Sequence, residues 1–200
     1  MDGIRLNMAS PAEAFTQFLA VLDRMEIPYL VGGSVASSIH GISRPTMDAD
    51  VVADLQEDQI EELTGALGSA FYADPATMRQ ALRMGRAFNL IHFATTFKID
   101  VFPLRKDSYS QVSFARRHFE ASRSFGPVPI ECAVATAEDT ILRKLEWYRS
   151  GGGTSERQWN DVRGVLRINR DRLDYDYLQK WAMELRIDDL LAQLLAEPER

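Results

Sequence analysis

The chain has 200 residues, a hydrophobic fraction of 46% and ten Phe, enough for one domain of ordinary size with its own core. A single cysteine excludes an internal disulfide framework and a cysteine zinc cluster. The net charge of −6 argues against indiscriminate coating of nucleic acid. That charge is unevenly spread, because residues 79–149 carry 12 Lys/Arg against 7 Asp/Glu. Such a basic middle either faces a polyanion or a triphosphate, or is a solvated surface of mixed sign. No apolar run approaches the roughly 18 residues of a membrane span. Met1-Asp2-Gly3-Ile4-Arg5-Leu6 lacks the basic-then-apolar layout of a signal peptide, so a cytoplasmic protein is expected, with no membrane partner.

Ser10-Pro11-Ala12-Glu13 reads as a helix start, with a serine N-cap, proline at the first helical position and glutamate at the third. Phe15, Phe18, Leu19, Leu22 and Met25 recur at helical spacing, which predicts a helix over 11–26. Tyr29–Val31 is a short apolar run of the kind found in buried strands. Gly32-Gly33 breaks it, Ser34 is placed to cap a short helix through His40, and Gly41 ends that helix. Asp48–Ala53 reads as a central strand, since Val51 and Val52 are apolar on opposite faces. A helix is expected over Glu57–Ala70 and another over Pro75–Arg83. Ala87–Ala94 and Phe97–Phe102 read as a hairpin, with Asp100 inside its second strand.

Residues 105–127 show only weak periodicity, and Pro129–Val134 reads as an edge strand. From Thr136 onward the pattern is helical: one helix through Arg149, ended by Gly151-Gly152-Gly153, then others near 155–168, 174–186 and 187–196. The expected class is α/β (α+β), a small mixed sheet flanked by helices. Residues 1–135 would form the core, and 136–200 a helical region packed on it.

Three features carry chemistry. Asp48 and Asp50 are two apart on a strand, so both side chains point to one face. Ionised carboxylates side by side repel unless a cation lies between them, which suits Mg²⁺ or Mn²⁺ if the pair is not simply part of a turn. Asp100 sits in Lys98-Ile99-Asp100-Val101-Phe102, where burial would be costly unless it is paired with a cation, an Arg or Lys included. As a third carboxylate on a neighbouring strand it would complete a ligand set for divalent ions in nucleotidyl transfer. Gly32-Gly33-Ser34 matches neither a Walker A loop nor a dinucleotide fingerprint. It does offer a glycine turn, a hydroxyl and helix N-terminal N–H groups, which suit phosphate oxygens.

Gly-Gly-Ser, a short helix, Arg44-x-Thr46-x-Asp48-x-Asp50 and a strand aspartate about fifty residues later resemble the nucleotidyltransferase fold of the DNA polymerase β superfamily. Within it the chain is similar to the AbiEii-type toxins of abortive-infection systems. The segments Glu138–Leu145 and Arg157–Val162 resemble the lysine and aspartate segments of that branch. The resemblance implies that Gly32, Gly33 and Ser34 hold the triphosphate and that Asp48 and Asp50 ligate the metals. It makes Asp100 the third carboxylate and a base for the acceptor hydroxyl. Lys144 and Arg44 would approach the phosphates, and Asp161 would orient Lys144 or the nucleotide.

The function this implies is Mg²⁺-dependent transfer of NMP from an NTP to a hydroxyl on RNA, protein or a small molecule, in a toxin–antitoxin or phage-defence setting with a cognate antitoxin partner. A non-catalytic nucleotide- or nucleic-acid-binding regulator on the same fold is the alternative. His40, His92 and His118 follow no metal spacing, Cys132 reads as core, and Trp147, Trp159 and Trp181 read as packing between helices. Gly151–Ser155 reads as a connection between helices rather than a phosphate loop.

Overall fold

The computed structural model describes residues 9–198, so the reading of residues 1–6 lies outside the described residues. Helix α1 (Pro11–Arg24) begins as its sequence directs: Ser10 Oγ accepts from the Glu13 N–H, and the Glu13 carboxylate accepts from the Ser10 N–H at 2.9 Å. Strand β1 (Tyr29–Val31) leads into α2 (Gly33–His40), and β2 (Asp48–Ala53) returns antiparallel to β1. Helix α3 (Ile60–Leu67), strand β3 (Phe71–Tyr72), helix α4 (Pro75–Met84) and the hairpin β4 (Phe88–His92) and β5 (Phe97–Pro103) follow. Helix α5 (Ser108–Ala115), strands β6 (His118–Ser122) and β7 (Ile130–Val134), and helices α6 (Ala137–Ser150), α7 (Glu156–Asn169), α8 (Tyr175–Glu184) and α9 (Asp188–Leu195) complete the order.

The seven strands form one mixed sheet in the order β3-β4-β5-β2-β1-β7-β6. Strand β2 runs parallel to β5 and β1 parallel to β7, while the other pairs are antiparallel. This is the expected α/β class, with helices on both faces. On β2 and β5, Ala49, Val51, Ala53, Phe97, Ile99 and Val101 are buried in the core formed with Phe15, Phe18 and Leu22 of α1 and Ile60, Leu63 and Leu67 of α3. The alternate residues, Asp48, Asp50, Lys98 and Asp100, therefore lie on the opposite face. A separate apolar cluster joins α6, α7, α8 and α9 through residues such as Leu142, Val165, Leu178 and Trp181. No helix among the described residues is long and apolar enough to cross a membrane.

Three expectations change. Strand β7 is interior, lying between β1 and β6. The edge is β6, whose three middle residues are exposed and show no alternation. Helix α5 escaped the periodicity because two of its buried positions are serines, Ser110 and Ser113. The expected helix over 57–70 is α3 flanked by 3-10 turns, with Gly68 at φ +60° ending the helix.

Where α2 ends, backbone meets backbone. A Cβ on Gly41 would come within 2.9 Å of the Val165 nitrogen and 3.1 Å of the Gly164 carbonyl carbon on α7. A Cβ on Gly164 would in turn meet Ile42 at 3.3 Å.

Candidate active site

The turn from β1 into α2 is shaped by Asp50. The Gly32 N–H donates to the Asp50 carbonyl at 2.9 Å, continuing the β1–β2 ladder up to the helix. Gly33 has φ +55°, and a Cβ there would fall 1.7 Å from Asp50 Oδ2. Only glycine allows both that backbone and the Asp50 carboxylate lying against it. Gly32, rather than Ser34, is the N-cap of α2. The Ser34 hydroxyl instead accepts from Arg44 Nη2 at 2.8 Å and from Arg157 Nη2 at 3.4 Å.

The parallel register sets Asp50 opposite Asp100, and Asp48 opposite Lys98. Neighbouring strands lie about 4.8 Å apart, so the three carboxylates share a small patch. Asp48 Oδ1 accepts from Thr46 Oγ1 at 2.6 Å, and Asp100 Oδ2 pairs with Lys98 Nζ at 2.7 Å. Burial first, then repulsion from Asp100 and Asp48, pushes the Asp50 carboxyl up to about 6, with Lys144 and Lys98 opposing in part. Among the described residues no three His, Cys, Asp or Glu side chains are drawn together as a ready metal cage. The donor set nevertheless fits a hard divalent cation: it is all oxygen and one-sided, and Asp48 and Asp50 have no ion-pair partner among the described residues.

The third side of the site comes from the C-terminal helices. Asp161 on α7 takes Arg44 in a two-pronged pair, Nε to Oδ1 at 3.1 Å and Nη2 to Oδ2 at 3.0 Å. It also takes Lys144 Nζ of α6 at 2.8 Å. Burial raises the Asp161 carboxyl, but the bonds from Arg44 and Lys144 outweigh it and hold the group below the usual carboxylate range. Burial lowers the Lys144 amine against the pull of Asp161. Asp161 thus fixes two cations beside Ser34, within reach of an anionic ligand.

All nine candidate residues found in the sequence line one cavity of about 720 Å³. Several further residues there were missed. Arg157 carries no local signal of its role, because its contact with Ser34 spans 123 positions. Trp147, read as helix packing, is 44% exposed and lines the cavity beside Phe102, ring centroids 5.5 Å apart. Its signal lay in the spacing Thr140, Arg143, Lys144, Trp147, one stripe of α6 that faces the cavity. Gly151 and Ser155 also line it, so the helix connection contributes to the wall. By contrast, Trp181 is buried against Tyr109, and Trp159 donates to Glu197 at 2.7 Å. His40 bonds the Ala135 carbonyl at 2.6 Å, and His92 bonds Thr95 Oγ1 at 2.9 Å, as structural histidines do.

No protein-family model and no curated protein matches the chain. Solved structures similar to it include the antibiotic-resistance factor ANT(2'')-Ia in solution, at 14% identity and a TM-score of 0.49, covering 94% of this chain and 100% of that one. An antigenic nucleotidyltransferase-like protein from Paracoccidioides brasiliensis is 15% identical at a TM-score of 0.48, with 94% of each chain covered. The lincosamide antibiotic adenylyltransferase LnuA, lincomycin-bound, is 14% identical at a TM-score of 0.40, covering 76% of this chain and 94% of that one. Likenesses this distant leave the assignment to the chemistry of the cavity.

Proposed function

We propose that the protein is a divalent-metal-dependent nucleotidyltransferase of the DNA polymerase β superfamily fold, moving NMP from an NTP to a hydroxyl acceptor on RNA, protein or a small molecule. One observation carries this reading: Asp48, Asp50 and Asp100 share one sheet face beside a glycine turn whose serine is flanked by Arg44 and Arg157. In this reading residues 1–135 are the catalytic core, and 136–200 close the cavity over it. Within the superfamily we place the chain with the AbiEii-type toxins, which would give it a cognate antitoxin and a cytoplasmic site of action.

Asp48, Asp50 and Asp100 would hold Mg²⁺ or Mn²⁺. When bound, such ions lower the pKa of the attacking hydroxyl and neutralise the leaving pyrophosphate. The Gly32 and Gly33 backbone, Ser34, Arg44, Lys144 and Arg157 bind the triphosphate, and Asp161 aims two of those cations. Asp100, ion-paired with Lys98 at 2.7 Å, is the base in this reading. The acceptor oxygen bonds the α-phosphorus, the bond to the bridging oxygen of the β-phosphate breaks, and the acceptor proton passes to Asp100.

Transfer from α-labelled NTPs, with each of the four bases, tests the reading against RNA, protein and small-molecule acceptors. It should disappear in Asp48→Ala and Asp50→Ala while their circular dichroism matches the wild type. Equal transfer by these variants would sink it. The second reading, a regulator that holds a nucleotide without turnover, is favoured by the engagement of Asp100 with Lys98. It would show as NTP binding in calorimetry with no transfer to any acceptor.

A further inference from the structure

Lys98 sets this carboxylate face apart from a plain ligand set. The β2–β5 register places it opposite Asp48, and its position two residues before Asp100 puts both on the same face. Its ammonium lies 2.7 Å from Asp100 Oδ2. The Lys98 side chain is 41% exposed, against 17% for Asp100. The charge is therefore carried on a flexible stem with solvent behind it, free to swing away without any strand moving.

Three carboxylates on adjacent strands repel, and a cation among them relieves that repulsion. An ammonium and a divalent ion cannot share Asp100 Oδ2 without repelling each other in turn. We propose that Lys98 is a positioning residue, a tethered cation that neutralises the Asp48–Asp50–Asp100 cluster in the metal-free protein and yields Asp100 to an incoming divalent ion. The proposal rests on the metal-dependent reading above. It makes metal binding an exchange of one cation for another. Affinity for the ion is traded against order in the empty site, and Lys98 sets where that balance lies.

Mn²⁺ titration by calorimetry, with thermal melts in chelator and in saturating Mn²⁺, tests both halves without any assay of transfer. Lys98→Met should bind Mn²⁺ at least tenfold tighter, melt lower than the wild type in chelator, and recover in Mn²⁺. Lys98→Arg, which keeps the charge, should melt near the wild type in chelator. In an Asp100→Asn background the melting loss from Lys98→Met should shrink, because less repulsion is left to relieve. If Lys98→Met cannot be purified without metal, refolding it with and without Mn²⁺ reads the same competition. Recovery with Mn²⁺ alone supports the exchange, and equal failure in both overturns it. Wild-type Mn²⁺ affinity in Lys98→Met overturns the role of Lys98 while leaving the metal-dependent reading intact. Absence of Mn²⁺ binding in every variant overturns that reading and the exchange with it.

Discussion

Compare the odd and even positions of β2 and β5. Toward α1 and α3 the two strands present Ala49, Val51, Ile99 and Val101, each at most 2% exposed. Toward the cavity the same strands, in the same register, present Asp48, Asp50, Lys98 and Asp100. The pleat alone separates them: one face excludes water, and the next residue along meets it. Stability and chemistry are thus written into alternate letters of one segment. Substitutions on the two faces should fail in different ways.

The largest expected effect is on the apolar face. Phe18→Ala, at a fully buried position of α1, should cost about 4 kcal/mol in urea unfolding. The protein that remains folded should keep its specific transfer rate. If that rate fell in step with stability, the separation of the two faces would be broken.

Asp50→Asn should show the reverse. Burial and two neighbouring carboxylates raise this carboxyl from 3.8 to about 6, so the native state holds its proton more tightly than the unfolded chain does. Stability from this group is therefore full below about pH 4 and is lost as the pH rises through about 6. The metal-free Asn variant should gain up to about 3 kcal/mol at pH 7, flatten the dependence between those pH values, and lose transfer. A variant that is both less stable and inactive would count against this account of Asp50.

Gly33→Ala tests the seam between the faces. The added Cβ would overlap Asp50 Oδ2 at a positive φ, so a loss of about 2 kcal/mol is expected. Transfer should fall as the carboxylate is displaced. Trp147→Ala should matter least. Removing this exposed ring from the cavity wall, where the base of the proposed NTP would stack on it, should raise the KM for NTP about tenfold, roughly one stacking contact, and leave melting unchanged.

Much of this was legible because it was local. The capping box at Ser10 and Glu13, the run Tyr29–Val31 and the strand Asp48–Ala53 each lie within a few residues of the signals that define them. The pleat placed Asp48 and Asp50 on one face before any tertiary fact was needed. What stayed hidden depended on distant partners. Ser110 and Ser113 are buried by surrounding elements, so α5 showed no apolar stripe. Strand β6 exists as the partner of β7, and its exposed Phe119–Ala121 segment carries no pattern of its own. Arg157 meets Ser34 only because α7 docks on α2, a relation no window of sequence contains.

That docking has a consequence of its own. At Gly41 the main chain leaving α2 meets the main chain of α7 with no side chain between them to bend or repack. The offset between α2, which carries Ser34, and α7, which carries Asp161 and Arg157, is therefore inherited from bond lengths and angles rather than from adjustable packing. Arg44 does not have to draw two loose parts together; it spans a gap whose width is already set. A methyl group at Gly41 would act as a shim. It would move no catalytic atom by its chemistry, and it would put every distance across the cavity out of true.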